Sequence, residues 1–296
     1  MTRRLLTLSL ACVFALAPMA PAASKKSSTR KSTSSSAKAK KARPEPYAAI
    51  DPNVVPSLKA GSAILIDADT GRVLHEVNAD KERPVASTQK LMTALLVAEE
   101  GGLDGRVKIV SSDTWAEPSK LYIKAGETYR RGDLLKILLV KSMNDVARAL
   151  ARDNAGSVAS FAQKMNQRAI ALGMSSSHFV NPNGLTEPGQ FSTARDMAKL
   201  ARAAYRNPTI RDLVRLKEIS WRHPSGKVST YKNTNRVLRN YAFCNGMKTG
   251  YTEASGFCLV SSASNGDRSV ISVVLGDTRD AIWTDSYKLL AWGLAS

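Results

Sequence analysis

The amino-acid sequence predicts an α+β domain in which helices flank an antiparallel sheet. Three features predict it: paired short apolar runs near the start of the folded part, a long central block with apolar residues at helical spacing, and further paired runs followed by a final helix-like segment. The chain has 296 residues, 43% hydrophobic and 23% charged. That composition suits one folded domain of about 240 residues behind an N-terminal extension.

The first 22 residues have the three-part pattern of a signal peptide. Two arginines precede an apolar run over residues 5–16, and small residues follow at 20–22. The run is too short to span a bilayer well, and no later stretch has the roughly 18 apolar residues that a spanning helix needs. We therefore expect an exported protein of the periplasm or cell envelope, without a transmembrane segment after signal removal. An uncleaved N-terminal anchor is the alternative.

Residues 23–55 are expected to form a flexible basic tether before a folded domain at 56–296. The stretch 23–45 carries eight Lys or Arg and no aliphatic residue larger than Ala, so it cannot bury enough apolar surface to offset its ordering entropy. This basic tract could bind nucleic acid through phosphates, but predicted export and the absence of aromatic residues from residues 23–45 argue against it. We expect contact with anionic envelope polymers or lipid headgroups instead.

The folded part begins with a predicted β-hairpin and a helix. Two apolar runs around an Asp-Thr-Gly turn predict the hairpin over residues 61–77. The segment from Thr88 to Glu100 is rich in Leu, Met, Ala and Lys and contains no Gly or Pro, which predicts a helix that starts near Ser87.

The remaining elements follow in order. Apolar spacing predicts a largely helical block from residue 130 to about 216, with a loop near residues 182–189 and a capped helix start at 192–196. After it, apolar runs at 256–262 and 269–275 around an Asn-Gly-Asp turn predict a second hairpin, and a helix follows over residues 282–294.

Three short strings stand in an order and context that indicate a serine acyl-transfer site. Ser-x-x-Lys occurs four times, but only one copy opens a helix-like run; the others lie in Ser/Lys-rich tracts or an extended segment. The Ser-x-Asn and Lys-Thr-Gly strings each occur once. The three strings are Ser87-Thr88-Gln89-Lys90, Ser142-Met143-Asn144 and Lys248-Thr249-Gly250.

The first two strings suit nucleophilic catalysis. A serine hydroxyl needs a neighbouring base to take its proton, and a helix places Lys90 one turn from Ser87. Burial and a second cation, Lys248, would lower the pKa of Lys90 and allow it to act as that base. We expect Ser142 to relay a proton to the leaving amine, and Asn144 to hold Lys90 or the substrate backbone.

The Lys-Thr-Gly string is expected to bind the substrate as an edge strand. Its main chain would pair with an extended peptide, while Lys248 and Thr249 bind a terminal carboxylate. Gly250 permits close approach of the substrate. The N–H groups of Tyr251 and Ser87 would then form an oxyanion hole.

The three strings resemble those of the penicillin-binding proteins and class A β-lactamases. Longer strings are similar to the low-molecular-mass D-alanyl-D-alanine carboxypeptidases and endopeptidases, over about residues 60–295. This resemblance implies a β-lactamase/transpeptidase-like fold with an inserted helical subdomain. The longer strings are Gly61 to Leu95, Phe179 to Leu185, Ser192 to Asp196, Asn233 to Arg236 and Gly246 to Ser262.

The resemblance also implies an activity. Ser87 would be acylated by the D-Ala-D-Ala end of a peptidoglycan stem peptide, release D-alanine and then be freed by hydrolysis, and β-lactams such as penicillin would inhibit by trapping the acyl-enzyme. Arg279, after the last strand, matches a carboxylate-binding arginine. The family roles fall on Ser87 as nucleophile, Lys90 as base, Ser142 and Asn144 as second element, and Lys248 and Thr249 as substrate-binding residues.

Two departures from the family pattern narrow the expected activity. The second string has Met143 where class A β-lactamases usually have Asp, and their deacylating glutamate is not identified, so a fast β-lactamase is not expected. The sequence ends about 20 residues after its last predicted strand, so we expect it to lack the C-terminal β-rich domain and amphipathic anchor of many members, as in the endopeptidase branch.

Three functions therefore stay open in the sequence. The leading one is the carboxypeptidase; the others are a D,D-endopeptidase of peptidoglycan crosslinks and a non-catalytic wall-binding or β-lactam-sensing module. The intact pair of Ser87 and Lys90 favours an enzyme. No cofactor or metal is expected, because His75, His178 and His223 are scattered and no nucleotide-binding glycine loop occurs.

Cysteine usage leaves one local question. After removal of the predicted signal peptide only Cys244 and Cys258 remain, in an oxidising compartment. A disulfide between them would close a loop of about 15 residues and stabilise the fold by roughly 3 kcal/mol. Two free buried thiols are the equal alternative.

Overall fold

A computed structural model describes residues 51–296. The predicted signal peptide and residues 23–50 of the predicted tether lie outside the described residues. Within 51–296 the chain forms nine β-strands. They are β1 (Ser62–Asp67), β2 (Val73–Val77), β3 (Arg106–Lys108), β4 (Thr128–Arg130), β5 (Glu218–Arg222), β6 (Val228–Lys232), β7 (Cys244–Thr252), β8 (Gly256–Ser264) and β9 (Ser269–Asp277).

The same residues form eight α-helices, none of which is both long enough and apolar enough to cross a membrane. A 3-10 turn at Ala86–Gln89 leads directly into the first of them. The helices are α1 (Lys90–Glu100), α2 (Arg131–Lys141), α3 (Asn144–Ala155), α4 (Val158–Ala171), α5 (Ala194–Arg206), α6 (Pro208–Val214), α7 (Arg236–Asn240) and α8 (Ala281–Ala295).

The main sheet has five antiparallel strands in the order β2-β1-β9-β8-β7. Helices cover both of its faces. Successive side chains of β1 point to opposite faces and enter two different cores. Ile64 and Ile66 belong to the larger core with α1 and α5, whereas Ala63 and Leu65 belong to a second core with α8. The predicted fold class, an antiparallel sheet flanked by helices, is confirmed.

The predicted elements of the main sheet and the helical block are present. The first hairpin is β1 and β2, and the second is β8 and β9. Helices α2 to α6 occupy the block predicted between residues 130 and 216. The capped start of α5 is also as predicted, because the Thr193 side chain accepts a hydrogen bond from the Asp196 N–H at 3.1 Å.

Two small sheets were not predicted. β3 pairs with β4 and β5 pairs with β6, each as an isolated antiparallel ribbon. The sequence indicated extended chain only at residues 229–232, within β6. Strands of three residues are too short for their alternation to stand out against a loop.

The Cys244–Cys258 disulfide is not formed, and the two cysteines are free, buried thiols. The strand register explains why. Cys258 pairs with Gly250, whereas Cys244 pairs with Ala263, so six residues of β7 separate the two positions, or about 20 Å at the rise of a strand. A disulfide needs its Cα atoms within about 7 Å. Burial raises the pKa of Cys244 to about 12 and that of Cys258 to about 11.

Candidate active site

Ser87 and Lys90 lie together at the start of α1. Ser87 is in the 3-10 turn and Lys90 is the first residue of the α-helix, so the predicted helix begins three residues later than Ser87. A 3-10 turn nevertheless places residues i and i+3 on one face. The Lys90 Nζ atom lies 2.7 Å from the Ser87 Oγ atom, which brings the predicted nucleophile and base into contact.

The Lys90 amine is fully buried among hydrogen-bond acceptors. Its Nζ atom donates to the Asn144 side-chain oxygen at 2.7 Å and to the Asn183 carbonyl oxygen at 2.5 Å. Burial, and then the nearby charge of Lys248, hold the pKa of Lys90 well below its usual range. A neutral amine has two N–H bonds and one lone pair. When the amine is neutral, its two N–H bonds can go to these two oxygens, which leaves its lone pair for the Ser87 hydroxyl; that hydroxyl also lies 3.3 Å from the Asn183 carbonyl oxygen, to which it donates.

The Asn144 amide is oriented by the loop before α2. Its Nδ2 group donates to the Pro118 carbonyl at 2.6 Å, and its backbone N–H donates to the Ser119 carbonyl at 2.8 Å. Since the Nδ2 end is fixed on a carbonyl, the oxygen end must point to Lys90. No sequence pattern indicated that residues 118 and 119 orient Asn144.

Ser142 occupies the turn between α2 and α3. It is the residue after the end of α2, where its φ of 69° is left-handed, and its N–H donates to the Leu138 carbonyl at 3.0 Å. Left-handed backbone is uncommon for a residue other than glycine and is frequent at functional sites. This turn brings Ser142 to the cavity that Ser87 lines, while Asn144, two residues later, contacts the buried Lys90.

The Asn181–Gly184 loop forms the floor beneath Lys90, and its role was missed in the sequence. The Asn181 side chain accepts hydrogen bonds from the N–H groups of Asn183, at 3.3 Å, and Gly184, at 2.8 Å. Gly184 has a φ of +80°, and a Cβ atom there would lie 2.1 Å from the Ala86 carbonyl oxygen. The Pro-Asn-Gly signal predicted a loop, but only its tertiary position brings the Asn183 carbonyl to Lys90.

Lys248 lies in β7, an edge strand of the main sheet, as predicted. Its side chain is buried, donates to the Thr249 carbonyl at 2.9 Å, and has its pKa lowered to about 7 by burial. The neighbouring Thr249 hydroxyl lies 2.6 Å from that of Thr234. Thr234 belongs to one of the longer family-like strings, but the sequence did not single it out.

Gly250 and Tyr251 bring β7 against the nucleophile. A Cβ atom at position 250 would lie 2.9 Å from the Ser87 amide nitrogen, so only glycine permits this approach. Tyr251 follows, with its half-exposed ring packed on Phe257 at a centroid distance of 4.4 Å. The main chain of β7 thus passes beside the amide of Ser87.

One cavity of about 470 Å³ collects residues from all three strings. Ile282 and Trp283 at the start of α8 add an apolar wall that was not expected. Arg279 does not line the cavity; its exposed guanidinium lies 5.7 Å over the Phe257 ring, which does. The string residues that line the cavity are Ser87, Ser142, Met143, Thr249 and Gly250, and Tyr251 lines it next to them.

Comparisons with known proteins agree with this geometry. The family model described as D-alanyl-D-alanine carboxypeptidase matches residues 49–279. The chain is 36% identical to the D-alanyl-D-alanine carboxypeptidase DacF of Bacillus subtilis, covering 74% of this chain and 57% of that protein. It is 38% identical to DacC of Escherichia coli, covering 84% and 65%. A D-alanyl-D-alanine endopeptidase of Pseudomonas aeruginosa is 33% identical over 79% of this chain and 77% of its own length.

Solved structures give the same result. The crystal structure of the carboxypeptidase DacD from Francisella tularensis superposes with a TM-score of 0.78 at 31% identity, covering 84% of this chain and 73% of that one. The chain spans less than two thirds of the length of DacF and DacC. The matched family model nevertheless covers well over half of this sequence. The chain therefore belongs to the D-alanyl-D-alanine carboxypeptidase family.

Proposed function

We propose that this chain is a serine D-Ala-D-Ala carboxypeptidase that removes the terminal D-alanine from peptidoglycan stem peptides. The observation that carries the proposal is the Lys90 amine, which is fully buried, 2.7 Å from the Ser87 hydroxyl, and held by two carbonyl-type oxygens. A binding module has no use for a neutral amine whose lone pair faces a serine, whereas a nucleophilic enzyme requires one.

Acylation begins with a proton transfer. As the Ser87 oxygen attacks the carbonyl carbon of the penultimate D-alanine, its proton passes to Lys90 Nζ. The N–H groups of Ser87 and Tyr251 stabilise the developing oxyanion, since Gly250 lets β7 lie against the Ser87 amide. Ser142, which lines the same cavity as Ser87, relays that proton from Lys90 to the leaving amine. The bond to the terminal D-alanine breaks and an ester on Ser87 remains.

Deacylation uses the same residues, with water as the attacking group and the Ser87 oxygen as the leaving group. Water enters the cleft, loses its proton toward Lys90 and attacks the ester carbonyl, and the Ser87 oxygen recovers a proton as it leaves. Asn144 keeps Lys90 in place through both halves because its own amide is fixed by the Pro118 carbonyl. β-Lactams acylate the same hydroxyl and are the expected inhibitors.

Substrate binding falls to β7 and its neighbours. As an edge strand, β7 offers main-chain groups to an extended stem peptide. The paired hydroxyls of Thr249 and Thr234 and the buried cation of Lys248 take the terminal carboxylate. Arg279, stacked on Phe257 at the border of the cavity, adds a second cation when its side chain turns inward.

The setting of the enzyme is part of the proposal. Residues 1–22 direct export to the periplasm or cell envelope, residues 23–55 tether the domain, and residues 56–296 form the catalytic domain. The tether contributes much of the positive charge, which favours contact with anionic envelope polymers or lipid headgroups.

A D,D-endopeptidase that cleaves peptidoglycan crosslinks is the second candidate. It is favoured by one finding, the similarity over 77% of the length of the Pseudomonas aeruginosa endopeptidase. The chemistry at Ser87 would be identical. The two activities differ only in whether the leaving amine belongs to free D-alanine or to the side chain of a second stem peptide.

Mass spectrometry of the full chain tests the proposal. The wild type is incubated separately with a D-Ala-D-Ala pentapeptide, a crosslinked muropeptide and penicillin. Loss of one D-alanine and a covalent penicillin adduct are expected from the wild type and absent from Ser87→Ala. Cleavage of the crosslink alone would make the chain an endopeptidase.

The control separates loss of chemistry from loss of folding. Ser229→Ala alters the Ser-x-x-Lys copy in β6, far from α1 in sequence, and should retain both activities. A penicillin adduct on the wild type without any peptide cleavage would favour the β-lactam sensor. Failure of the wild type with all three compounds would overturn the enzymatic proposal.

A further inference from the structure

A second cavity lies outside the catalytic cleft and has a basic wall. Its volume is about 580 Å³, and it is bordered by β1, β2, the end of α4 and α5. We call it the α5 trough. Cavities of 300–1,000 Å³ with an apolar lining and a few convergent polar groups are typical of ligand sites. None of the residues of the three catalytic strings lines it.

The wall of the α5 trough is one face of a helix. Four cations recur at positions i, i+4, i+7 and i+11 of α5, and all line the trough. The first two have carboxylate partners: Arg195 bonds Asp80 at 2.7 Å, and Lys199 bonds Asp196 at 2.8 Å. The other two cations are Arg202 and Arg206.

Arg202 and Arg206 form an uncompensated pair of like charges. Both donate through a terminal nitrogen to the same acceptor, the Asp69 carbonyl oxygen, at 2.5 and 2.7 Å. Arg202 also donates to the Ala68 carbonyl at 3.1 Å. Neither guanidinium has a carboxylate within salt-bridge distance among residues 51–296. Two cations that share one neutral oxygen leave unused N–H groups beside each other, which is the arrangement that binds a dianion.

Apart from Arg168 of α4, which donates to the Glu99 carboxylate at 2.5 Å, the rest of the α5 trough is apolar. Val73 on the edge strand β2 is 39% exposed, and Leu172 and Ala203 are half-buried beside it. Gly71, with a φ of +81°, has no side chain, and a Cβ atom there would lie 3.2 Å from the Arg202 guanidinium. The ligand that fits must therefore carry an apolar part along β2 and a negative group at the two arginines.

We propose that the α5 trough binds a phosphate monoester of a single apolar chain, with the chain along Val73, Leu172 and Ala203 and the phosphate on Arg202 and Arg206. Phosphate suits the pair because it carries up to two charges and accepts bidentate hydrogen bonds from arginine. The chain itself is an unsuitable occupant. With a net charge of +18, a second copy would bring further positive charge rather than the complementary anion.

Calorimetric titration of the full chain with decyl phosphate, below its micelle concentration, tests the proposal. We expect saturable binding of one molecule, at least tenfold weaker binding of decyl maltoside, which has the same chain without the charge, and at least tenfold weaker binding of inorganic phosphate. Equal affinity for inorganic phosphate would reduce the trough to a simple anion site. If decyl maltoside bound as tightly as decyl phosphate, the two arginines would contribute nothing to binding. Either result overturns the proposal.

Two variants with equal loss of charge locate the binding. Arg202→Gln/Arg206→Gln should weaken the binding of decyl phosphate at least tenfold. Arg211→Gln/Arg215→Gln, in α6 and directly after its end, should bind it as the wild type does. Ala203→Leu keeps all the charges but fills the apolar side, and should also weaken binding. Circular dichroism melting of each variant verifies the fold. Unchanged binding in the Arg202/Arg206 variant would show that the anion binds elsewhere, for example to the basic residues 23–45, and would overturn the proposal.

Discussion

The catalytic cleft and the α5 trough both use cations, but they use them in opposite ways. In the cleft, Lys90 and Lys248 are fully buried, and burial lowers the pKa of both amines. In the trough, Arg202 and Arg206 reach solvent and keep their charge, because a guanidinium does not lose its proton in proteins. The comparison separates the proposed base from the proposed phosphate site: an amine that accepts the Ser87 proton needs a lowered pKa, whereas two guanidinium groups offer a permanent charge and a planar fork.

The largest effect is expected when a permanent charge replaces the proposed base in the cleft. Lys90→Arg keeps a cation beside Ser87 but removes the base, so we expect acylation by penicillin to slow by about 1,000-fold or more. Stopped-flow or mass-spectrometric acylation rates measure this. Lys136→Arg, in a surface pair with Asp133, is the matched control and should acylate normally. A Lys90→Arg enzyme within tenfold of the wild type would show that Lys90 is not the base.

The next largest difference is expected between Gly→Ala substitutions in the two regions, measured as lost free energy of unfolding. Gly184→Ala adds a methyl group 2.1 Å from a backbone oxygen and at a φ of +80°, whereas Gly71→Ala, at a φ of +81°, meets only the flexible Arg202 guanidinium at 3.2 Å. We expect Gly184→Ala to lose about 3 kcal/mol or more of unfolding free energy, and Gly71→Ala about 1 kcal/mol.

Urea unfolding of both variants measures the difference. Gly189→Ala is a further reference, since its φ is +78° and no atom lies within 4 Å of the added methyl group. It should resemble Gly71→Ala. If all three variants lose the same free energy of unfolding, backbone strain alone accounts for the loss. The close contact between the Asn181–Gly184 loop and Ala86 would then add nothing to the cost of the Gly184 substitution.

The buried lysine Lys248 should also make the stability of the protein depend on pH. Lys248 has its usual pKa of 10.5 when unfolded and about 7 when folded, so the unfolded state binds more protons across that window. Stability should therefore rise with pH from about 7 upward, by at most about 1.4 kcal/mol per pH unit for this group, and fall as pH drops toward 7. Lys248→Met should make the rise less steep, as measured by urea unfolding between pH 7 and 9; a part of the rise should remain, because the pKa of Lys90 is also lowered by burial.

The two buried thiols limit the pH range over which this rise in stability can be measured. Cys244 and Cys258 have folded pKa values of about 12 and 11 against an ordinary value of 9.0, so they lower stability above pH 9, the opposite sign. Arg202→Gln/Arg206→Gln should keep the full rise between pH 7 and 9, because its substitutions lie outside the cleft. An equal rise in Lys248→Met and the wild type would contradict a lowered pKa at Lys248.

The smallest expected effect concerns the choice of arginine in the trough. Arg202→Lys keeps the charge but loses the planar fork that allows bidentate contact. We expect decyl phosphate to bind about threefold to tenfold more weakly, between the wild type and the Gln variant. Calorimetry with the same titrant measures it. Binding unchanged by Arg202→Lys would mean that charge alone holds the phosphate.

Much of the fold was predictable because its signals are local. The hairpin of β1 and β2, helix α1, the helical block and the hairpin of β8 and β9 each follow from a turn or a period within a few residues. The sheet of β3 and β4 was missed because its strands have only three residues. The sheet of β5 and β6 was missed although its strands have five residues, because only residues 229–232 were interpreted as extended chain. The disulfide question could not be decided in sequence, since it depends on the register between β7 and β8.

The sequence by itself determined which residue types were available for acyl transfer and their order along the chain, because Ser87 and Lys90 lie one helical turn apart whatever the rest of the chain does. Only the tertiary structure decided that the carbonyl of Asn183 and the side chain of Asn144 hold the Lys90 amine, that Arg279 lies outside the cavity, and that Arg202 and Arg206 converge on one oxygen. These contacts join residues far apart in sequence, and their energies depend on burial and on acceptors that no local pattern encodes.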